Sequence, residues 1–576
     1  MPGPTVTDAV RRGLPAHVRS GAAVTDSGRF PPDQLRRPMN KNAKAVIRYH
    51  EETKHHYHRY ARSSGYMDWR NQPDPFRFYE GTGTVDLPLT GQEPEAGYPG
   101  LYRRENNRTQ PVTLKHVAKF LELSMGLSAW KVSGSSRWSL RMNPSSGNLH
   151  PTECHLVIPS ASDIAPGVYH YNPLKHILER RADLPEALCE KIQSHFHGPC
   201  FLAGLSSIFW RESWKYGERA FRYCNHDVGH ALAALSFSAN LQGWKLTALT
   251  GLSDDDIGTV LGFDRTPWRP TEAEHPDLLC VAHPPDTDVP RTLPTEMLSA
   301  FSALPFEGTP NMLSKEPVNW EIIYETAART RKPRTVETPR NYGQRPLSET
   351  PGSSLTAAAI IRQRRSAAVY SGRGGISKAR FCAMLEKTLP RSGVAPFDLE
   401  LGEPHVNLLL FVHRVDGLER GIYFLIRTPD TAETLRPVMA PDLEWKSVRK
   451  DFPLWRLRQD DFRQDAISVS CDQGIAGYSA FSLGMIARFR EVVTASPWAY
   501  RHLFWETGMI GQVLYLEAEA HGVRGTGIGC FFDDPVHELL GLRDNTWQSL
   551  YHFTVGDPVE DTRISTLPPY GHLQRG

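Results

Sequence analysis

The apolar and polar positions of this 576-residue chain follow one grammar, used twice. In the first half, ALAALSFSANLQG (residues 231–243) spaces its apolar residues at helical period and ends in glycine, a helix-stop signal. A short β-like run, KLTALTG, comes next, then a short acidic-started helix in SDDDIGTVLG. In the second half, GQVLYLEAEAHG (residues 511–522), VRGTGIGCF and DDPVHELLG repeat that order. Upstream, CHLVIP with PGVYHYNPLKHILERR parallels NLLLFVHRV with RGIYFLIRTP, an apolar strand before a strand pair each time. The pattern predicts an α+β fold built twice, helices around a small, mostly antiparallel sheet.

The two copies align at a constant spacing. Arg222 and Arg501, Gly229 and Gly508, Gly243 and Gly522, Asp254 and Asp533, and Gly262 and Gly541 are each 279 residues apart. That is one long duplication, not a solenoid array. Two copies in one chain imitate a two-fold homodimer. Residues 1–42, rich in Pro, Gly and Arg, are expected to be a mobile tail. The first domain is expected at 43–304 and the second at 356–576. Residues 305–355 read as a linker, partly ordered near VNWEIIYETAAR.

Charge and composition remove whole classes. The net charge of +2 carries no nucleic-acid footprint. No apolar run approaches a membrane span, and the N-terminus has no apolar signal segment. Eight scattered cysteines without a CxxC pair point to a reduced, cytoplasmic setting with neither a disulfide framework nor a zinc site.

Four short runs carry candidate chemistry. NPSSGNLHP (Asn143 to Pro151) is small and polar, suited to close backbone approach, and occurs once. Arg364, Arg365 and Ser366 offer two guanidinium forks and a hydroxyl, good phosphate chemistry or a solvated charge run. GTGIGCF (Gly525 to Phe531) permits close approach of backbone amides to a flat ligand, or is a plain glycine-rich turn. Arg563 follows the last strand-like run and either returns to the same phosphate or is an exposed tail residue.

Together these runs resemble the nitroreductase family of flavin enzymes. The resemblance implies FMN as cofactor. Its phosphate and ribityl chain would be held by Arg364, Arg365, Ser366 and Arg563, and its N5 edge by the backbone at Ile528 and Gly529. Pro144, Ser145, Ser146 and Asn148 match the run that reaches the flavin from a partner subunit. More narrowly, PSSGNLHPTECHLV and WKYGERAFRYCNHDVGHALAAL resemble azoline-oxidising dehydrogenases of the SagB/ThcOx type. That resemblance implies a catalytic pair at Lys215 and Tyr216 and a heterocyclic or peptide-derived substrate, with the electron acceptor left open. An NAD(P)H-dependent nitro or quinone reductase, and a flavin-free scaffold partner, stand as alternatives.

Each copy lacks what the other holds. The front copy has no Arg-Arg-Ser before its first helix. The back copy has PRSGVAPFD (residues 390–398) where the Ser-Asn run is expected, and Thr494 and Ala495 at the Lys-Tyr position. One composite flavin site per chain is therefore expected. Other clusters read as structural. Asp533 and Asp534, like Asp254 and Asp255, fit helix N-capping. His50, His55, His56 and His58 lack the partners of a metal site. Trp498 and Tyr500 are either a substrate wall or core.

Overall fold

The computed structural model describes residues 40–89, 94–104, 107–336, 353–428 and 430–573, with positions 342, 345 and 347. Most of the expected tail lies outside the described residues, but Lys41 and Asn42 already belong to a helix. In the front half the elements that matter run α1 (Lys41–Glu52), β1 (Gly83–Asp86), α2 (Leu114–Ser124), β2 (Leu127–Ser133), β3 (Ser136–Arg141), β4 (Thr152–Ile158), β5 (Gly167–Asn172), β6 (Ile177–Asp183), β7 (Phe201–Ser207), α3 (Phe209–Tyr216), α4 (Ala220–Leu241), β8 (Lys245–Ala248), α5 (Asp254–Leu261) and β9 (His275–His283). The back half continues with α6 (Glu321–Arg329), α7 (Ala357–Gln363), α8 (Lys378–Lys387), β10 (Val406–Val412), β11 (Gly421–Leu425), β12 (Lys446–Arg449), β13 (Phe452–Gln459), β14 (Phe481–Arg488), α9 (Phe489–Ala495), α10 (Ala499–Ala520), β15 (Arg524–Ile528), α11 (Asp533–Leu540), β16 (Trp547–Gly556) and β17 (Ser565–Leu567).

The two sheets are copies. The front sheet has order β1-β6-β5-β4-β7-β9-β8 and the back sheet β12-β13-β11-β10-β14-β16-β15, each with seven strands. Every strand pair in them is antiparallel. The central strands β4, β5, β7, β10 and β11 are buried along their whole length, so both faces are covered by packed elements.

The long helices α4 and α10 pack against each other between the sheets. Every residue of α4 is buried, its polar side chains included. The repeat glycines mark the crossing. A methyl group on Gly229 would lie 2.2 Å from the Trp505 carbonyl oxygen, and one on Gly508 would lie 2.2 Å from that of His226. Gly243, Gly262, Gly522 and Gly541 instead end their helices in the left-handed region, at φ 69, 73, 75 and 75.

The other two repeat markers pair with each other across the pseudo-dyad. Arg222 donates to Asp533 at 2.7 Å, and Arg501 donates to Asp254 at 2.8 Å. These aspartates are not helix caps, as the sequence suggested. Ser253 caps α5 through its hydroxyl, and the residue before α11 is Phe532.

The duplication also extends into the expected linker. His55, just beyond α1, exchanges backbone bonds with Asp533: its N–H donates to the carboxylate at 2.9 Å and its carbonyl accepts from the Asp533 N–H at 3.2 Å. Lys332, just beyond α6, does the same with Asp254 at 3.0 and 3.1 Å. Residues 321–336, α6 and the strap beyond it, are thus the back copy of α1 and its strap, at a spacing of 277 (332 − 55), not a free connector. Finally β17 leaves the back half and pairs with β2 of the front, joining the β2–β3 hairpin in a three-stranded sheet. Tyr570 anchors that arm, its hydroxyl accepting the Leu127 N–H at 2.9 Å.

Candidate functional site

A cavity of about 700 Å³ opens where the front loop before β4 meets the run after α7 and the end of β15. That volume is in the range of small-molecule and cofactor sites, roughly 300–1,000 Å³. Its wall takes Asn143–Asn148, His150, Tyr216, Tyr223, Asp227 and His230 from the front half. The back half adds Arg364–Ala368, Tyr515, Arg524, Thr526–Cys530 and Tyr551.

The front loop is held in a strained shape by its own polar groups. Gly147, Asn148 and His150 all lie in the left-handed region, at φ 59, 60 and 53. Asp227, on α4, accepts the Ser146 N–H and the Ser146 hydroxyl, both at 3.0 Å. The Asn148 amide donates to the Ser139 carbonyl at 2.9 Å, and the His150 N–H donates to Ser145 Oγ at 2.8 Å. Glycine is required at 147 on a second count, because a methyl group there would sit 2.6 Å from the Tyr216 hydroxyl. Burial pushes the Asp227 carboxyl up to about 7, against the pull of its serine partners.

The back wall is cationic. Arg364 is buried and donates to the Arg141 and Met142 carbonyls at 3.0 and 3.2 Å, stitching the two halves together. Arg365 donates to the Ser128 carbonyl at 3.1 Å and to the carbonyls of Arg362 and Arg364. Among the described residues, neither guanidinium has a carboxylate at ion-pair distance. Burial, then the Arg364 charge, lowers Arg365 to about 10. Lys131 is lowered by burial and then by Arg365, so it belongs to the same positive patch. Arg524 completes it, paired to Glu560 at 2.5 Å. One carboxyl, Glu519, faces these arginines; burial pushes it up to about 7. Buried charges are ordinarily paired, so an anion entering the cavity would meet charge and donors here.

Beside the patch, Ser366 Oγ lies 2.9 Å from the Tyr515 hydroxyl, which accepts the Gly527 N–H at 2.9 Å. Aromatic rings form another part of the wall. Tyr216 and Tyr223 meet edge to face at 4.5 Å, and Tyr551 stacks on His226 at 4.2 Å. Burial, then the Arg141 and Arg211 charges, holds His150 well below its ordinary value.

The sequence-predicted residues divide as follows. Pro144, Ser145, Ser146, Asn148, Tyr216, Arg364, Arg365, Ser366, Ile528 and Gly529 all line the cavity. Lys215 sits behind the loop, its ammonium 5.2 Å from the Tyr216 ring centre and 3.2 Å from where a Gly147 methyl would be. Arg563 does not return to the cavity. Its side chain is 85% exposed and paired with Asp561 at 2.8 Å, because the chain turns toward β17 there. Arg524 lines the cavity instead. Trp498 carries the Lys332 ammonium on its face at 5.0 Å, and Tyr500 is fully buried; neither lines the cavity. His50 is buried between Tyr500 and Gln548.

Sequence reasoning missed Asp227, Arg524 and Lys131. Asp227 had a signal: a carboxylate within the repeated long helix, beside the glycine of the crossing.

The pseudo-symmetric position is differently furnished. The loop entering β10, equivalent to β4 in the sheet, is 399–405 (LELGEPH), not the PRSGVAPFD run expected. It brings Glu400, which pairs with Arg291 at 2.5 Å. Glu506 holds the repeat position of Asp227 (227 + 279) and pairs with Arg427 at 2.5 Å. Arg104 pairs with Asp398, which also accepts the Ser236 hydroxyl. Ser236 is the repeat equivalent of Tyr515 (236 + 279). Arginines there already have carboxylate partners.

Two antiparallel seven-stranded sheets around a pair of crossed long helices, with a cavity between the halves, define a nitroreductase fold made in tandem. The nitroreductase family model matches residues 106–273 and 491–557, one stretch in each half. A Methanocaldococcus jannaschii protein, provisionally named a nitroreductase, is 23% identical over 163 residues, covering 28% of this chain and 79% of that one. The crystal structure of a provisionally named nitroreductase from Anabaena variabilis matches with a TM-score of 0.64 at 21% identity. It covers 89% of this chain and 99% of its own, so the shared fold spans both halves. Among the described residues, no helix is long and apolar enough to cross a membrane.

Proposed function

We propose that this protein is an FMN-dependent oxidoreductase with one composite flavin site per chain, of the dehydrogenase type that oxidises a heterocyclic or peptide-derived substrate. The observation that carries this reading is the arginine patch: Arg364 and Arg365 line a cavity closed by the other half of the chain, and among the described residues neither has a carboxylate at ion-pair distance.

The residues suit the cofactor. A flavin phosphate would meet Arg364, Arg365, Ser366 and Arg524, with Lys131 at the rim. The strand end at Ile528–Gly529 and the loop Pro144–Asn148 would flank the ring from opposite halves. FMN bound there would supply the two-electron chemistry, and the protein would supply binding, orientation and proton handling. Asp227 is placed for the last of these, because a carboxyl near 7 both accepts and donates protons at neutral pH. Tyr216 presents its hydroxyl to the same cavity, with Lys215 behind it as the neighbouring charge. A dehydrogenase needs a base for the leaving proton, and Asp227 and Tyr216 bring titratable groups to the cavity from the front half.

The test is to purify the chain with added FMN and vary Tyr216. Tyr216→Phe should leave the flavin spectrum intact while lowering turnover of an azoline substrate by roughly 10²-fold or more, the usual worth of acid–base help. Unchanged turnover would remove the dehydrogenase assignment, and absence of flavin absorbance at saturating FMN would remove the flavin itself.

A further inference from the structure

Cys530 follows Gly529 at the end of β15 and lines the cavity. Its sulfur lies 2.9 Å from that of Cys471, in the turn after the helix Arg463–Val469. These two thiols are half-buried, whereas the six other cysteines are buried. The turn is shaped to bring them together. Cys471 and Asp472 are both left-handed, at φ 54 and 55, a conformation that costs a non-glycine residue roughly 1–3 kcal/mol. Two bonds fix the turn to the strand end: Gln473 Nε2 donates to the Cys530 carbonyl at 2.8 Å, and the Phe532 N–H donates to the Val469 carbonyl at 2.9 Å.

The surroundings distinguish the two sulfurs. Hydrogen bonds from Cys471 and then from His55 hold the Cys530 thiol well below its ordinary range, with the Arg219 charge adding to them. The bond to Cys530, then burial, pushes Cys471 up. Cys530 therefore has the character of an attacking thiolate and Cys471 that of a resolving thiol.

We propose that Cys471 and Cys530 are a redox-active dithiol at the rim of the cavity that exchanges with small-molecule disulfides. In the first step the Cys530 thiolate attacks one sulfur of R–S–S–R, forming a mixed disulfide and expelling R–S⁻. Cys471 then loses its proton to solvent and attacks Cys530 Sγ, forming the internal disulfide and expelling the second R–S⁻. Two protein thiols are oxidised and one external disulfide is reduced to two thiols. A disulfide bond is about 2.05 Å long, so the sulfurs need to close by less than about 1 Å. The closed form would tie the Gln473 turn to the strand end that lines the cavity. The proposal does not depend on flavin binding.

The test equilibrates the full chain with reduced and oxidised glutathione at a series of ratios, traps free thiols by alkylation and maps the peptides. The expected result is joint loss of two thiols and a Cys471–Cys530 cross-link. Cys471→Ser should leave a glutathione adduct on Cys530, and Cys530→Ser should protect Cys471. The proposal is overturned if both thiols stay alkylatable in oxidised glutathione alone, or if Cys530 accumulates the adduct in the unaltered chain with no cross-link.

Discussion

Arg365 and Asn148 lie 217 residues apart (365 − 148), yet they close the same cavity. The guanidinium would act on the ligand directly, and the amide would act by holding the loop that covers it. Arg365→Ala should weaken FMN binding by roughly tenfold to a hundredfold, the worth of a charged hydrogen bond of about 1.5–3 kcal/mol. Asn148→Ala should weaken it comparably by releasing the loop from the Ser139 carbonyl, as read by flavin titration. Glu519 sets the pH dependence of the patch. Its carboxyl, near 7, faces Arg364, Arg365 and Arg524, so it is largely protonated below pH 7 and a competing negative charge above it. FMN affinity should therefore fall as pH rises through about 7, and Glu519→Gln should flatten that fall. A steep fall kept in Glu519→Gln would place the titrating group elsewhere.

The helices and straps show why the repeat markers survive. Gly229 and Gly508 permit the closest approach of α4 and α10, and Gly229→Ala should lower stability by about 1–3 kcal/mol or more through overpacking. Thermal unfolding with an unchanged midpoint would contradict that packing. Arg222–Asp533 and Arg501–Asp254 are buried cross-half pairs, so Asp533→Asn should cost about 3–5 kcal/mol by leaving guanidiniums unpaired. Burial opposes the Asp533 carboxylate, but Arg219 and Arg222 prevail and hold it well below the usual range. Its contribution is complete above about pH 4 and is lost as pH falls below that. Acid unfolding of Asp533→Asn should accordingly be less steep. The constant spacing of these markers was legible in the sequence because close packing and turns demanded glycine twice, and each ion pair demanded its arginine and aspartate twice. Their purpose was not, because each aspartate answers an arginine in the other half, a relation no local pattern records. The strap after α6 escaped notice for a related reason: its equivalence to the strap after α1 rests on backbone bonds to Asp254, which leave almost no mark on side-chain identity.

At the scale of the molecule, duplication has let two equivalent positions diverge. One keeps Arg364 and Arg365, which among the described residues have no carboxylate at ion-pair distance, with a serine-rich loop and a cavity. The other has Arg104, Arg291 and Arg427 paired to Asp398, Glu400 and Glu506. Most of the first site could be read from short runs in the chain, since close approach and phosphate binding restrict residue type strongly. Arg563 was misplaced because a basic residue after the last strand has many directions to turn, and here the chain turns toward β17. The central claim is that the two halves share one flavin, and the flavin-to-chain ratio of protein saturated with FMN and freed of excess tests it most directly. The account predicts one FMN per 576-residue chain, abolished by Arg365→Ala together with Asn148→Ala. Two per chain, or one that survives both substitutions, would contradict it.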